Sequence, residues 1–137
     1  MIMINYKVIA SLRIEDVLPL YEAVGWTNYT SQPQMLEQAL RQSLYVQAAY
    51  DSGKLVGILR AVGDGVSIMF IQDIIVLPSY QRQGIGSQLI KNCLEIYKHV
   101  YQIHLLTDAT DKTKAFYESQ GFKIVEAVDC RAYTLVK

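Results

Sequence analysis

A glycine-containing turn between a strand and a helix is the feature that most constrains the fold of this chain. Residues 66–76 are rich in β-branched and aromatic side chains and end before Pro78, which predicts a strand. After the turn, apolar residues recur at three- and four-residue steps, which predicts an amphipathic helix that begins near Gly84. Residues 102–107 predict a second buried strand. Two strands joined through a helix in this way form a crossover, so we expect them to be parallel.

The other segments predict a mixed α/β protein in which most strands are antiparallel. An aromatic loop over residues 26–30 separates two early helices, and Ser11 is a candidate cap for the first. The remaining predicted strands cover residues 5–10, 44–50, 55–62, 122–128 and 132–136, and the remaining helices cover residues 13–24, 31–43 and 112–120. The strands 44–50 and 55–62 form a hairpin around a short turn. We expect one domain over residues 1–137, with about four helices flanking the sheet.

The composition narrows the class of protein. The chain has 137 residues, of which 51% are hydrophobic and 19% charged, and this favours an ordinary globular domain. Lys plus Arg and Asp plus Glu are both 13, so the formal net charge is +0. A nucleic-acid-binding protein depends on a basic face, so we expect no nucleic-acid partner.

The cysteines, histidines and apolar runs argue against several other classes. Cys93 and Cys130 are too few for a disulfide framework, and His99 and His104 form no metal-binding pattern with them, so no metal is expected. The longest apolar runs are too short to cross a bilayer, and the first residues lack the features of a secretion signal. We therefore expect a cytoplasmic protein with no membrane partner.

The glycine turn has the properties of an anion-binding site. Its sequence is Gln81-Arg82-Gln83-Gly84-Ile85-Gly86-Ser87. Helix N-termini present unpaired backbone N–H groups and a partial positive charge, and glycine lets a ligand approach the backbone, so the site suits a phosphate or pyrophosphate. A dinucleotide fingerprint would need a third glycine where Leu89 stands, and the Gly-Lys-Ser/Thr ending of a P-loop is absent. A plain turn into a helix remains the alternative.

A second motif lies near the end of the chain: Ala115-Phe116-Tyr117-Glu118-Ser119-Gln120-Gly121-Phe122. Alone, it also describes an amphipathic helix closed by a glycine. The strand ending at Pro78, the glycine turn and this motif, in this order, resemble the GNAT superfamily of acyl-CoA-dependent N-acetyltransferases over nearly the whole chain. The resemblance implies a mixed, mostly antiparallel sheet whose central parallel strand pair is splayed to admit acyl-CoA.

The resemblance also implies how the cofactor is held. Backbone amides of the glycine turn would bind the pyrophosphate of acetyl-CoA, and the central strand would pair with the pantetheine arm. The implied cofactor-binding residues are Arg82, Gln83, Gly84, Ile85, Gly86 and Ser87 in the turn and Ile74, Ile75 and Val76 in the strand. Many members carry an asparagine where this chain has Thr110, whose hydroxyl would replace the amide as a contact to the cofactor.

The implied reaction moves acetyl from acetyl-CoA to a primary amine of a small molecule or peptide by direct attack. Tyr117 matches the family tyrosine that protonates the departing thiolate. An amine with a pKa of about 10.4 is mostly protonated at neutral pH, and freeing it costs roughly 4–5 kcal/mol, so a base is needed. Asp73 is the candidate base, with a solvated or hydrogen-bonded carboxylate at the strand end as the alternative. Backbone N–H groups at a strand bulge would polarise the thioester carbonyl.

The acceptor side rests on the aromatic loop. Trp26 and Tyr29 lie where the family places acceptor-binding segments, although core filling or a dimer contact would explain Trp26 as well. Arg60 and Asp64 flank a turn and are expected to be solvated. A homodimer is a possible assembly. The rival function is a non-catalytic acyl-CoA-binding module or sensor with the same fold.

Overall fold

Five strands form one sheet that carries the helices of the chain. The structure, a computed structural model, describes residues 3–137. The strands are β1 (Ile4–Val8), β2 (Tyr45–Asp51), β3 (Lys54–Gly63), β4 (Ile68–Val76) and β5 (Gln102–Leu105). The helices are α1 (Ile14–Ala23), α2 (Thr27–Thr30), α3 (Pro33–Arg41), α4 (Ile85–Ile96) and α5 (Asp111–Ser119). None of the helices described in residues 3–137 is long and apolar enough to span a bilayer.

The strand order confirms the predicted crossover. The sheet runs β1-β2-β3-β4-β5, in which the first four strands are antiparallel neighbours and β4 and β5 are parallel. The predicted hairpin is β2–β3, whose turn contains Ser52 and Gly53 with φ of 49° and 86°. A mixed α/β fold with a mostly antiparallel sheet and one parallel pair is therefore confirmed.

Both faces of the central strands are covered, and for this reason β2 and β3 contain almost continuous apolar runs. On one face, α1 and α3 bury Val17, Leu20, Leu36 and Leu40 against the sheet. On the other face, α4 buries Leu89, Ile90 and Cys93, and its Leu89 carbonyl accepts a 2.9 Å hydrogen bond from the buried Gln47 amide. The sheet is thus fixed between helices, which gives β4 a rigid setting.

The chain contains two compact units, one that ends at Leu106 and one that covers Thr107–Lys137. The first holds the sheet and α1 to α4. The second holds α5, followed by a 3₁₀ turn at Val125–Val128. The expectation of a single domain stays a prediction.

Several predicted elements differ from the structure. The strands predicted at 122–128 and 132–136 are wrong, because the first contains the 3₁₀ turn and the second has no regular structure. Their β-branched and aromatic composition favours a strand only where a neighbouring strand supplies the pairing. The predicted Ser11 cap is also wrong, since α1 begins after Arg13 without a side-chain cap. The aromatic loop contains the short helix α2.

Candidate active site

The parallel pair β4–β5 separates partway along β4. The pairing ends at Ile71 opposite Leu105, while β4 continues to Val76 with β3 on its other side. Residues 72–76 therefore have no paired strand on the β5 side within the part of the chain that the structure describes. Backbone N–H and C=O groups along such an edge are available to a ligand that pairs with a strand.

The residues expected to meet the pantetheine arm lie in this unpaired stretch. Ile75 points into the core with Ile58, whereas Ile74 and Val76 are half-buried. The Val76 carbonyl accepts a 3.0 Å hydrogen bond from Gln81 Nε2, and a carbonyl oxygen keeps a second lone pair for another donor. Residues 74–76 thus have apolar side chains, and their only polar groups are those of the backbone.

A β-bulge lies at the point of separation. Arg60 pairs with Asp73, but the next residue of β3, Ala61, pairs with Ile71, so Gln72 is an extra residue in β4. A bulge leaves backbone groups outside the regular ladder and redirects the strand. A strand bulge, as expected, is present; it lies in β4, and its exposed Gln72 borders the unpaired edge.

The glycine turn opens α4 with a left-handed backbone. Gly84 is the N-cap residue with φ of 82°, and Arg82 also has positive φ at 64°. No side chain caps the helix, which is 12 residues long and so presents its amide groups and partial positive charge at this end. A Cβ built on Gly84 would meet no atom within 4 Å other than those of its immediate surroundings in the chain, so there is open space above the turn.

The start of the turn is anchored to the segment just before it, which is itself attached to β2. Gln83 Nε2 donates to the Ser79 carbonyl at 3.4 Å, and the Tyr80 hydroxyl donates to Asp51 at the end of β2 at 2.6 Å. Arg82 and Gln83 are exposed. The turn therefore has a fixed start and an accessible middle, as a binding loop for an anion requires.

Asp73 is buried and paired. Its Oδ2 accepts a 2.7 Å hydrogen bond from Arg60 Nε and a 2.8 Å hydrogen bond from the Tyr21 hydroxyl. Only 2% of Asp73 and 5% of Arg60 is exposed. Burial opposes the charge of Arg60, but Asp73 raises the pKa of the guanidinium above its ordinary value. Burial and then the Asp73 charge raise the pKa of Tyr21 well above its usual range.

Arg60 extends this cluster to the aromatic segment. Its Nη2 donates to the Tyr29 hydroxyl at 3.3 Å, and Gln72 Nε2 reaches the same hydroxyl at 3.4 Å. The Tyr29 ring lies 5.1 Å from the Tyr21 ring, edge to face. The Trp26 ring also packs against the Tyr21 ring, with centroids 5.9 Å apart, and both Trp26 and Tyr29 are half-buried. Of these two residues, Tyr29 contacts the bulge, because its hydroxyl accepts from Gln72.

The expectation that Arg60 is solvated is wrong. The sequence offered one signal for a buried ion pair, namely opposite charges within apolar runs of two neighbouring antiparallel strands. Whether the two side chains face each other, however, depends on the bulge at Gln72. Asp64, by contrast, is exposed and accepts hydrogen bonds from the backbone of Val66, Ser67 and Ile68. Asp64 also accepts a hydrogen bond from the Ser67 hydroxyl. This hydrogen bond, followed by those from the backbone, holds the pKa of the Asp64 carboxyl well below its usual range.

In the second unit, Tyr117 lies on α5 among aromatic neighbours. Its ring packs edge to face on Phe116 at 5.0 Å and on Phe122 at 6.0 Å. Burial, and then the negative charge of Asp108, raises the pKa of the phenol, which therefore keeps its proton through the neutral range. A half-buried phenol that keeps its proton is a suitable donor to a developing thiolate.

Thr110 is the N-cap of α5. Its hydroxyl donates to Asp108 at 2.7 Å and accepts from the Thr113 N–H at 3.3 Å. The hydroxyl is thus already engaged in capping the helix, and its contact with a cofactor stays a prediction.

Comparisons with known proteins point to one family. A family model described as an acetyltransferase (GNAT) domain matches residues 15–134. A solved GNAT-family acetyltransferase from Streptococcus pneumoniae TIGR4 is 50% identical, covers 98% of both chains and has a TM-score of 0.91. A solved aminoglycoside N-acetyltransferase in complex with CoA shares the fold at 17% identity, with a TM-score of 0.70 over 100% of this chain and 96% of that one.

A curated relative, a glucosamine 6-phosphate N-acetyltransferase of Trypanosoma brucei brucei, is 33% identical over 84 residues, which are 61% of this chain and 50% of that protein. The chain spans about half the length of the first curated relatives it matches.

Proposed function

Because the chain belongs to the GNAT acetyltransferase family, we propose that it transfers an acetyl group from acetyl-CoA to a primary amine of a small molecule or peptide. The observation that carries the proposal is the separation of β4 from β5 after Ile71, followed along the chain by the open, glycine-initiated N-terminus of α4. One ligand with a diphosphate and an amide-containing arm matches both features.

The cofactor would be held by backbone rather than by side chains. Amides of residues 82–87 would bind the pyrophosphate at the positive end of α4, and Arg82 would add an exposed positive charge. The pantetheine arm would pair with the unpaired edge at Ile74, Ile75 and Val76. The acetyl group would then reach the bulge at Gln72, where backbone N–H groups can stabilise the oxyanion that forms on the thioester carbonyl.

The amine would approach from the side of Tyr29. It attacks the carbonyl carbon, the C–N bond forms, and the C–S bond breaks as the electron pair leaves on sulfur. Tyr117 would donate a proton to that thiolate, and the amine would lose its extra proton to a base or to water. Trp26 and Tyr29 would shape the acceptor pocket, with Gln72 as a polar group at its border.

Asp73 as general base stays a prediction, and its surroundings favour another role. A base must reach the amine and have a free lone pair, but Asp73 is buried and its Oδ2 already accepts from Arg60 and Tyr21. We infer that Asp73 is a positioning residue, which holds Arg60 so that the guanidinium orients the Tyr29 hydroxyl. The acceptor proton would then leave through water.

The rival function is acyl-CoA binding without transfer. Thr110 favours it slightly, since its hydroxyl caps α5 where many family members offer an amide to the cofactor. Tyr117, with its proton retained, favours catalysis.

Thiol release from acetyl-CoA separates the two functions. The purified chain is incubated with acetyl-CoA and a panel of polyamines, amino sugars, aminoglycosides and peptides, and free thiol is measured against a control without amine. We expect release that requires at least one amine, with an acetylated product of matching mass. Binding of CoA by calorimetry without thiol release for any amine would favour the binding module.

A further inference from the structure

The Tyr29 hydroxyl accepts two hydrogen bonds, and no hydrogen bond within residues 3–137 uses its proton. Arg60 Nη2 donates to the phenol oxygen at 3.3 Å, and Gln72 Nε2 donates to it at 3.4 Å. A guanidinium has no lone pair, so the first of these bonds can only run towards the phenol. A phenol oxygen has two lone pairs and one proton, and the two donors occupy both lone pairs. The proton of Tyr29 is therefore left for an acceptor outside this cluster.

The positive charge beside Tyr29 makes this proton a strong donor. Burial opposes the charge of Arg60, but Asp73 raises the pKa of the guanidinium, so Arg60 stays positive. A hydroxyl that accepts from a cation is polarised and donates more strongly in turn. Leaving such a donor without an acceptor is costly once water is displaced from it.

The position of the Tyr29 ring is fixed, and its hydroxyl lies at the bulge. The ring packs 5.1 Å from the buried Tyr21 ring and 6.4 Å from the Trp26 ring. Its oxygen contacts Gln72, which is the extra, exposed residue of β4. A donor held in this way can distinguish two ligands of equal size by whether they carry an oxygen opposite it.

We propose that Tyr29 selects acceptor amines with a hydrogen-bond-accepting oxygen, as a hydroxyl, carbonyl or carboxylate, on the carbon next to the one that bears the amine. The inference rests on the proposed function, because it takes the amine to react beside the bulge. With the nitrogen there, an oxygen on the neighbouring carbon accepts the Tyr29 proton. An alkylamine of the same size covers the hydroxyl without accepting its proton, and it binds less tightly for this reason.

Binding of a matched pair of amines tests the selection without requiring turnover. Ethanolamine and propylamine are of equal size and differ in a hydroxyl that replaces a methyl group. Trp26 is the one tryptophan of the chain and packs beside Tyr29, so its fluorescence reports binding at this place. In titrations in the presence of coenzyme A, we expect ethanolamine to bind at least about tenfold more tightly than propylamine.

Two variants should abolish this preference by different routes. Tyr29→Phe removes the proton and keeps the ring. Gln72→Glu keeps the Tyr29 hydroxyl but places a carboxylate beside it, which takes the proton; its charge attracts both ammonium ions equally, so the ratio of the two affinities remains a valid readout. The matched control is Tyr97→Phe, at another half-buried tyrosine that packs edge to face on a buried one, Tyr45, and it should keep the preference.

The ratio of the two affinities decides the inference. A preference in the original chain and in Tyr97→Phe that disappears in Tyr29→Phe and Gln72→Glu would support it. Equal binding of the two amines, no change in Trp26 fluorescence with either, a preference that survives in Tyr29→Phe or Gln72→Glu, or its loss in Tyr97→Phe would overturn it.

Thiol release from acetyl-CoA with the same two amines separates this inference from the proposed function. Release at equal kcat/KM for both amines would overturn the selection by Tyr29 and leave acetyl transfer in place. A tenfold preference in binding, with no release for any amine, would support the donor role of Tyr29 and count against acetyl transfer.

Discussion

Arg60 and Asp73 face each other across neighbouring strands, with Nε and Oδ2 2.7 Å apart and both side chains almost fully buried. The pair links the core helix α1, through Tyr21, to the aromatic segment, through Tyr29. Because buried charges are tolerated only when paired and hydrogen-bonded, the two residues depend on each other. This dependence makes the pair a structural element, and in the proposed function the pair also orients the acceptor side.

Breaking this pair is expected to destabilise the fold strongly. Asp73→Asn leaves Arg60 as a buried charge without its partner, and the free energy of unfolding should fall by about 3–5 kcal/mol. Urea unfolding followed by circular dichroism measures the loss. The matched control is Glu15→Gln, which breaks the exposed pair with Arg13 and should change the stability by less than about 0.5 kcal/mol. Equal losses in the two variants would contradict the structural role.

The same variant distinguishes a base from a positioning residue. In the temperature range where Asp73→Asn stays folded, we expect a higher KM for the amine and an acid limb of the kcat/KM profile that is still present. Tyr29→Phe, which removes the hydroxyl that Arg60 and Gln72 contact, should raise KM in the same direction. If Asp73 were the base, Asp73→Asn would instead lower kcat by at least about 100-fold and remove the acid limb.

The glycine turn should be sensitive to a side chain at Gly84. Gly84→Val forces a β-branched residue into φ of 82° and fills the open space above the turn, so the affinity for CoA should fall at least tenfold by calorimetry. Gly53→Val is the matched control, because Gly53 has φ of 86° and equally open surroundings in the β2–β3 turn. It should show similar strain in unfolding experiments and unchanged CoA affinity. A loss of affinity in both variants would assign the effect to stability.

Tyr117→Phe tests proton donation. The variant keeps the ring that packs on Phe116 and Phe122 and removes only the hydroxyl. We expect turnover to fall at least tenfold with the affinity for CoA unchanged. Tyr101→Phe, at an exposed tyrosine of the first unit, should leave both values as they are. Unchanged kcat in Tyr117→Phe would remove the acid role.

Alkaline pH should destabilise the protein through a buried thiol. Burial raises the pKa of Cys93 from 9.0 to about 12. The thiol of the unfolded chain then loses its proton first, and the free energy of unfolding falls by up to about 1.4 kcal/mol per pH unit as the pH rises from 9 towards 12. Below pH 9 the thiol is protonated in both the folded and the unfolded chain, and stability is not reduced by this effect. Over this pH range the urea midpoint of Cys93→Ala should decline less steeply than that of the original chain. Cys130→Ala, which removes an exposed thiol, should decline as steeply as the original chain. Parallel declines in all three would contradict the assignment.

The sequence predicted the crossover well because its signals are local. The period of apolar residues changes from strand to helix at a glycine, and the structure begins α4 with Gly84 as its N-cap. The strands predicted at residues 122–128 and 132–136 are wrong for the opposite reason, since the composition of a segment does not show whether a partner strand exists.

The site was only partly predictable for a related reason. Asp73 lies in a cluster with Tyr21, Arg60 and Tyr29. This cluster depends on contacts between residues that are 13 to 52 positions apart in the sequence, and on a one-residue bulge. No periodicity in the chain encodes these contacts. The backbone features of the cofactor side, by contrast, follow from the order strand, turn and helix.

Amide NMR during titration with coenzyme A tests the central claim most directly. The account predicts that the largest shifts occur at the backbone amides of residues 82–87 and 74–76, and that they saturate together as one binding event. The absence of shifts at these amides at saturating coenzyme A, or largest shifts elsewhere on the chain, would contradict it.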